Sequence, residues 1–597
     1  MTKSSSPHLH GNVLILTLIM MVILSAFVAV AVNSTNNTAQ VSDRSRDYAA
    51  ALSAAEGAVD YGYGVWVKRI QAQNRYLTTA EANASLTGPT VSGFSYDSTA
   101  NGGPLRIDGL DEYGAPAATP TPVMIELTAY PGWRGRTFTY LAKAKVQQST
   151  GYNFSVGVKR QFQYAEVPLF QSMFFFEHTI EFYKPAAIIV NGPVHTNDYM
   201  YASTQTGVSF IFQSNVSYVT GYSESADPPF AYTWSGWTPN AEVPPTYSTG
   251  KSAQLHQVSR MEPLGTDPAN AVNTTDSNPN NDGMRELIEP PNNSYSDDSA
   301  FATRRLYNKA GLLININGST ITVTGQNGLT LTSAQQTAIK ATISAKTTVY
   351  DQREGKNIDI RSVDVGALGT AIAATTGFNN VLYINDTTAV NSSSPNPKAV
   401  RLKNGGVLPA NGLTVASENP VYIQGDYNTG TTSNPNAVPA NGSGNADNTA
   451  SPTVSGYTRK PAAVIADAIM LLSNNWSDSN SSLSLTSRQA TNTTFNTAMI
   501  GGFMPSGYQP SVGAQYGYSG GAINYPRFME DWTGNYCTYF GSMVELFQSK
   551  TFTGEWDTGV IYRPPLRRWN YDTNFNTNPP AGSLDAVSWS RGTWAKF

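Results

Sequence analysis

The chain has 597 residues, a formal net charge of −4 at pH 7 and only 13% charged residues. This low charge density excludes an extended basic nucleic-acid surface and argues against a cytosolic enzyme of ordinary composition. The single cysteine, Cys537, excludes an intramolecular disulfide. Its alternating setting of polar and aromatic residues predicts a buried structural thiol in a strand.

An unbroken apolar run opens the chain after a short leader, residues 1–10. It extends from Val13 to Val32 and is interrupted only by Thr17 and Ser25. At about 1.5 Å per residue the run reaches roughly 30 Å, the thickness of the hydrocarbon core of a bilayer. The sequence therefore predicts a helix over residues 11–70 that crosses a membrane with residues 13–32.

Two simpler interpretations of the apolar run remain open. One is a plain signal anchor, which also carries the rest of the chain across the membrane. The other is a signal peptide cleaved near Ala29 and Ala31, although the apolar part of such a peptide is usually only about 7 to 15 residues long.

A second pattern follows the apolar run. Residues recur at alternating steps of three and four, which predicts a helix with one face against a partner; they are Ala49, Leu52, Glu56, Val59, Tyr63, Trp66 and Ile70. Glu56 interrupts this face. Because an unpaired charge in an apolar contact is costly, Glu56 is the candidate for a contact between subunits.

These elements resemble a known family. Gly11 before the apolar run, the charged segment 43–47 and the sequence Ala-Ala-Glu-Gly-Ala at 54–58 are similar to the N-terminal region of PilX-type minor pilins and pseudopilins. The resemblance covers about residues 11–70 and implies processing between Gly11 and Asn12 and packing of the helix into a filament core. Where a major pilin has Glu at the fifth position after the processing Gly, this chain has Leu16.

Short strands with Gly and Pro between them follow the helix. The runs 123–129 and 138–146 predict a small β-rich module over residues 71–168.

The remaining residues, 169–597, predict a large β-rich body. Short apolar runs end in Asn or Gly and lack helical crossovers, as in 186–190, 312–316, 413–416 and 462–466. We expect a mainly β protein whose body is a right-handed parallel β-helix. Because no strict repeat period is present, β-sandwiches are the alternative.

Two long loops are predicted within the body, at 223–293 and 428–456, because these segments are rich in Pro, Asn, Ser and Gly. The first contains Asp276 to Gly283, where oxygen-bearing side chains alternate as they do in calcium loops. Asn281 occupies the position at which such a loop needs Gly, so we expect a solvated loop with no bound metal.

The body also resembles an uncharacterised family of bacterial pilin-like surface proteins, over about residues 170–597. That resemblance implies no chemistry, and it rests on the segments 191–197, 351–354, 419–428, 461–467, 518–521, 526–528, 562–565 and 568–569.

Few residues suggest catalysis. His195 could act as a general base, and Asp351 with Glu354 could form the carboxylate pair of a glycoside hydrolase. Turn residues that bond the backbone at strand ends are the competing interpretation. We expect neither enzymatic activity nor a cofactor.

Aromatic residues and arginines are dense near the C-terminus. They could stack sugar rings, but we expect them to cap the open end of the β-rich body; they include Arg527, Trp532, Tyr536, Arg567, Arg568, Trp569 and Trp594.

The sequence as a whole predicts a single-pass inner-membrane protein with a periplasmic or extracellular body. It would serve as a pilin-like structural component of a type IV pilus or type II secretion-like assembly, with other pilin-like subunits as partners. The alternative function is a cell-surface β-helix protein that binds or cleaves polysaccharide, for which surface glycans would be the partners.

Overall fold

A computed structural model describes most of the chain. The described residues are 10–73, 75–96, 105–127, 130–149, 151–224, 241–263, 283–291, 299–373, 375–431, 453–504, 507–509, 514–516, 520–556 and 560–597. Nearly all of the predicted leader, the calcium-like segment before Gly283 and much of the two predicted loops, 223–293 and 428–456, lie outside them.

One long N-terminal helix is followed by a large β-rich body, as the sequence predicts. In chain order the first elements are α1 (His10–Gln73), α2 (Thr79–Asn83), β1 (Phe94–Tyr96), β2 (Leu105–Leu110), β3 (Pro116–Ala117), β4 (Val123–Glu126), β5 (Arg134–Gln148) and β6 (Ser155–Pro168).

Short strands dominate the next part. They are β7 (Phe174–Phe176), β8 (Ile180–Tyr183), β9 (Ile188–Val190), β10 (Val194–Thr196), β11 (Tyr199–Gln205), β12 (Phe210–Phe212), β13 (Val216–Tyr218), β14 (Gly221–Ser223), β15 (Glu242–Val243), β16 (Thr246–Tyr247), then α3 (Lys251–Gln254), β17 (Leu255–Gln257) and β18 (Glu262–Pro263).

The remaining elements contain the longer strands. They are α4 (Ser299–Ala302), α5 (Leu306–Lys309), β19 (Leu312–Asn317), β20 (Thr320–Gly325), α6 (Ser333–Ala341), β21 (Thr347–Asp351), β22 (Lys356–Asp364), α7 (Val365–Ile372), β23 (Val381–Asp386), β24 (Lys398–Lys403), β25 (Leu413–Ala416), β26 (Val421–Gln424), β27 (Ala462–Ala466), β28 (Ile469–Leu472), β29 (Thr493–Asn496), β30 (Ala498–Gly502), β31 (Gly507–Gln509), β32 (Ala514–Tyr516), β33 (Tyr536–Gly541), β34 (Met543–Phe547), β35 (Leu566–Tyr571) and β36 (Asp585–Lys596).

The chain forms two compact units. The first comprises Met1–Pro122, Phe138–Gln163 and Trp589–Phe597, and the second comprises Val123–Thr137 and Tyr164–Ser588. The second unit is therefore inserted into the sequence of the first. The predicted limits of the small module and the body, 71–168 and 169–597, stay a prediction.

The first unit is a helix packed on an antiparallel sheet. Strand β5 pairs with β1 and β2, with Ile107 opposite Ala142 and Tyr96 opposite Val146. Along β5 buried and half-buried residues alternate, as expected for a strand with one face against a core. The C-terminal half of α1 packs on this sheet.

Parallel strand pairs build most of the second unit. Its largest sheet has the order β17-β13-β10-β7-β34-β30-β27-β25-β23-β19-β20, in which only the β19–β20 pair is antiparallel. A second sheet has the order β21-β22-β24-β26-β28, and a third has the order β29-β33-β35. Strands such as β25, β27 and β34 are buried along their whole length, which is typical of parallel strands covered on both faces.

In much of the second unit, consecutive strands of the chain enter different sheets. The chain passes through β27, β28 and β29 and then returns to the largest sheet with β30, which pairs in parallel with β27. Most buried apolar side chains of the unit form one large cluster, which includes Phe174, Val194, Leu312, Val464 and Met543. A smaller cluster includes Ile358, Tyr422 and Phe552.

The order of the largest sheet departs from chain order at one point. From β19 to β34 the strands follow one another along the chain, but the next strand in the sheet is β7. Residues near position 175 are therefore neighbours of residues near position 544.

Candidate membrane and assembly site

The N-terminal part of α1 projects from the first unit. Side chains 13–46 are exposed all round the helix, and the apolar run is no exception, since Leu14 is 74% and Met21 is 70% exposed. The hydroxyls of Thr17 and Ser25 donate to the carbonyl oxygens of Val13 and Val22, each at 2.9 Å. The run therefore presents only satisfied polar groups, as a segment in lipid requires.

Polar, uncharged residues continue the helix beyond Val32. The hydroxyls of Thr35 and Thr38 donate to backbone carbonyl oxygens one turn earlier, at 2.8 and 2.9 Å. The first charged residue, Asp43, forms an ion pair with Arg46 at 3.1 Å with both side chains more than half exposed, so the pair contributes at most about 1 kcal/mol. Residues 33–42 thus separate the apolar run from the first charges by about 15 Å of helix.

A clasp within the first unit holds the middle of α1. The clasp is the loop 151–154: the Tyr152 amide donates to Asp47 at 3.3 Å, and its hydroxyl donates to the Gln40 carbonyl at 3.2 Å. Tyr48 contacts Phe154 edge to face, with ring centroids 5.6 Å apart. A side chain at Gly151 would collide with Asp47, and the φ of Gly151 is +67°, so this close approach requires glycine.

Small residues form the buried face of α1. The buried positions are Ala51, Ala55, Ala58, Val59, Gly62, Trp66 and Ile70. The predicted face agrees in its second half, at Val59, Trp66 and Ile70. In the N-terminal half of this face, alanines are buried in place of the predicted residues, because the helix axis runs close to the sheet. A β-carbon at Gly62 would already lie 3.0 Å from a side-chain carbon of Leu105.

An ion cluster that the sequence does not reveal fixes the same helix. The Asp60 carboxylate accepts from Arg160 at 3.0 Å and from Arg591 at 2.9 Å. The Arg160 guanidinium also lies over the Trp594 ring, 4.6 Å from its centroid. Since residues 60, 160 and 591 are far apart in sequence, no local pattern could have linked them.

Glu56 lies at the margin of the packed face. It is half-buried, and within the described part of the chain its carboxylate has neither a hydrogen-bond nor an ion-pair partner. The two arginines Arg160 and Arg591 thus pair with Asp60, one turn further along the helix, and not with Glu56. The processing candidates Gly11 and Asn12 lie in the first turn of α1.

Asp351 and Glu354 are brought together, but each is occupied by structural contacts. Asp351 is fully buried and accepts from the amides of Arg353 and Glu354 and from the Tyr422 hydroxyl, at 2.9, 3.0 and 2.7 Å. Burial raises the pKa of Asp351. Glu354 accepts from Arg527 and from two backbone amides in the segment 553–554. The bonds of Asp351 to the amides of Arg353 and Glu354 are those of a turn residue, whereas Glu354 is held by groups distant in sequence.

His195 is also buried. One ring nitrogen lies 2.8 Å from the Ser217 hydroxyl and the other lies 3.0 Å from Asn197. Burial lowers the pKa of His195 to about 4, so the imidazole is neutral at pH 7. Both ring nitrogens are thus engaged within the protein.

The other candidates lie in the β-rich body. Cys537 is buried in β33, as predicted, and burial raises the pKa of its thiol to about 12. Trp532, Arg568 and Trp569 are buried as well, and the last two belong to β35. Within the described ranges no three His, Cys, Asp or Glu side chains are grouped as metal ligands.

Length and composition make α1, from Val13, a candidate membrane span, although a signal sequence near an N-terminus has the same properties. No protein-family model matches the chain, and no curated protein sequence matches it either. Among solved structures, the competence-associated pilin ComZ from Thermus thermophilus is similar at 11% identity and a TM-score of 0.27, over 92% of this chain and 96% of that one. A TM-score this low transfers neither a fold nor a function.

Proposed function

We propose that the protein is a membrane-anchored structural component of a type IV pilus or a type II secretion-like assembly, without enzymatic activity. Residues 13–32 of α1 would span the inner membrane, and the β-rich body would lie on the periplasmic or extracellular side. The observation that carries this proposal is the projecting helix: a run of apolar side chains, exposed all round, continues without a break into a segment held by the first unit. The resemblance of residues 11–70 to PilX-type pilins supports the same role.

The β-rich body would be the part of the protein that the assembly displays outside the membrane. We infer that it is a parallel β-helix, since many consecutive strands enter different sheets and the sheets grow mainly by parallel pairing. β-Sandwiches are built from antiparallel strands, which favours the β-helix over that alternative.

Glu56 would make the contact between subunits. A half-buried carboxylate at the margin of the packed face is positioned to accept a cation from a neighbouring helix, and such a pair would gain strength where apolar helices exclude water. Glu56→Gln should reduce co-purification with filament subunits while leaving the first unit folded. Asp60→Asn is the matched control, because Asp60 already has its partners within the chain.

The N-terminal residue of the protein tests the assembly route. We expect a start at Asn12 when a prepilin peptidase is present and an uncut, membrane-bound chain when it is not. Gly11→Leu should prevent the cut without releasing the chain from the membrane. A start near Val32 in the soluble fraction would mean a signal peptide and would contradict the proposal.

A charge in the apolar run tests the membrane role separately. Arg costs roughly 3 kcal/mol at the centre of a membrane helix, so Ile23→Arg should shift the protein toward the soluble fraction. Asn36→Arg, which adds the same charge beyond the apolar run, should stay with the membrane. Equal partition of the two variants would show that the run does not span the bilayer.

A further inference from the structure

The largest sheet of the second unit joins two blocks that are far apart in sequence. The late block contains β19 to β35, residues 312–571, and the early block contains β7 to β17, residues 174–257. The early block comes first along the chain, yet in the sheet its strands follow β34, the last strand of the late block in that sheet. The contact between β7 and β34 is called the joint here.

Backbone pairing makes the joint continuous. Phe174, Phe175 and Phe176 pair in parallel with Met543, Val544 and Glu545. The Met543 amide donates to the Met173 carbonyl at 2.8 Å, and the Glu177 amide donates to the Glu545 carbonyl at 2.9 Å.

A buried carboxylate of the late block takes its partners from the early block. Glu545 is fully buried and accepts from the amides of Glu177 and His178, both at 3.1 Å, and lies 2.7 Å from Nδ1 of His178. Because a buried carboxyl group without hydrogen-bond partners is costly, the burial of Glu545 is favoured when the early block is in place.

A second contact lies on the neighbouring strands β9 and β35. The side-chain oxygen of Asn191 accepts from the Tyr571 amide at 2.8 Å, and its side-chain nitrogen donates to the side-chain oxygen of Asn570 at 3.0 Å. The chain then passes so close to Tyr571 that a β-carbon on Gly192 would lie 2.4 Å from the β-carbon of Tyr571. Any side chain at position 192 would therefore push the two blocks apart.

The two blocks differ in the lengths of the strands that they contribute to the largest sheet. The early block contributes β7, β10, β13 and β17 to the largest sheet, each three residues long, and β10, β13 and β17 stack outward from β7. Strands this short need an existing sheet edge, since three residues bury little surface. The late block has longer strands that pair with one another, and its far end begins with the β19–β20 hairpin.

We propose that the two blocks of the body fold in a fixed order. The late block folds by itself, and the early block then docks on it as a unit through the joint. The early block is made first, but its strand β7 meets the neighbouring strand β34 only after residue 543 has followed. Docking is also the step that can reverse locally, so the early block can open while the late block stays folded. This inference does not depend on the function proposed above.

Hydrogen exchange of the full-length protein, read by mass spectrometry, tests the order. Gly192→Val should raise exchange in residues 174–224 on the order of 100-fold, with exchange in residues 312–502 unchanged. Ile465→Asp, which puts a charge into the buried strand β27 of the late block, should expose both blocks. The proposal is wrong if Gly192→Val exposes both blocks together or neither, or if Ile465→Asp leaves the early block protected.

Refolding of the unaltered chain gives a test that needs no variant. With pulses of deuterium during refolding in detergent, we expect amides of the late block to become protected before those of the early block. Simultaneous protection, or earlier protection of residues 174–224, would overturn the proposal.

Discussion

Replacing Glu530 with glutamine should remove a large part of the pH dependence of the body's stability. Glu530 is fully buried, and its carboxyl oxygens lie 2.6 Å from the amide nitrogen and the hydroxyl of Ser473. Burial raises the pKa of Glu530 from 4.5 to about 8, so the carboxyl group is protonated at neutral pH in the folded protein. Glutamine has the same shape and can keep both hydrogen bonds.

The size of the effect follows from the two pKa values. Because the pKa is higher in the folded than in the unfolded chain, the stability that Glu530 contributes is complete below pH 4.5 and is lost as the pH rises toward 8. At about 1.4 kcal/mol per unit, the free energy of unfolding should fall by about 4 kcal/mol between pH 5 and pH 8 because of this group. The Glu530→Gln variant should lack that decrease.

Urea unfolding followed by tryptophan fluorescence at several pH values measures the difference. The comparison of variant and unaltered protein removes the contributions of all other titrating groups. Glu112→Gln, at an exposed position, is the control for the loss of a carboxyl group and should stay within about 0.5 kcal/mol of the unaltered protein. Parallel curves for Glu530→Gln and the unaltered protein between pH 5 and 8 would refute the reasoning.

Three further predictions concern packing and charge. Trp66→Ala should destabilise the first unit by about 3 to 5 kcal/mol in denaturant unfolding, because the fully buried ring contacts the rings of Tyr140 and Phe162; a loss below 1 kcal/mol would contradict this packing. Asp60→Asn should cost about 1 kcal/mol in the same assay, since the ion pairs are partly exposed, and an unchanged midpoint would show that the arginines are held by other contacts. Burial lowers the pKa of His178, but Glu545 raises it by more, so the pKa is raised in the folded protein. The pair therefore stabilises the body fully below pH 6.5, and this stabilisation is lost as the pH rises through the folded-state pKa. The His178→Gln variant should lose this pH dependence of stability in unfolding measured from pH 5 to 9.

Periodicity predicts α1 well, because its signal is local. The apolar run and the positions Val59, Trp66 and Ile70 follow from spacing alone. The alanines of the buried face were missed, since alanine is common on every face of a helix and the nearness of the sheet at Leu105 is not encoded nearby.

The sequence predicts that the body is rich in strands, but it does not predict which strands pair. Short apolar runs ending in Asn or Gly indicate a β-rich body, but they do not say which run lies beside which. The pairing of Phe175 with Val544 spans most of the chain, and it depends on the complete fold rather than on either segment. The cluster of Asp60 with Arg160 and Arg591 escaped prediction for the same reason.

The insertion of the second unit into the first has a consequence for cleavage by proteases. Each of its two segments, 123–137 and 164–588, is joined at both ends to a segment of the first unit, so the backbone passes from one unit to the other four times. A single cut at any of these passages leaves the body covalently tethered to the helix α1 or to the strand at the C-terminus. Release of the body by cuts at these passages alone would require at least two cuts, and a protein cut at one of them would stay attached to α1 as long as the first unit stayed folded.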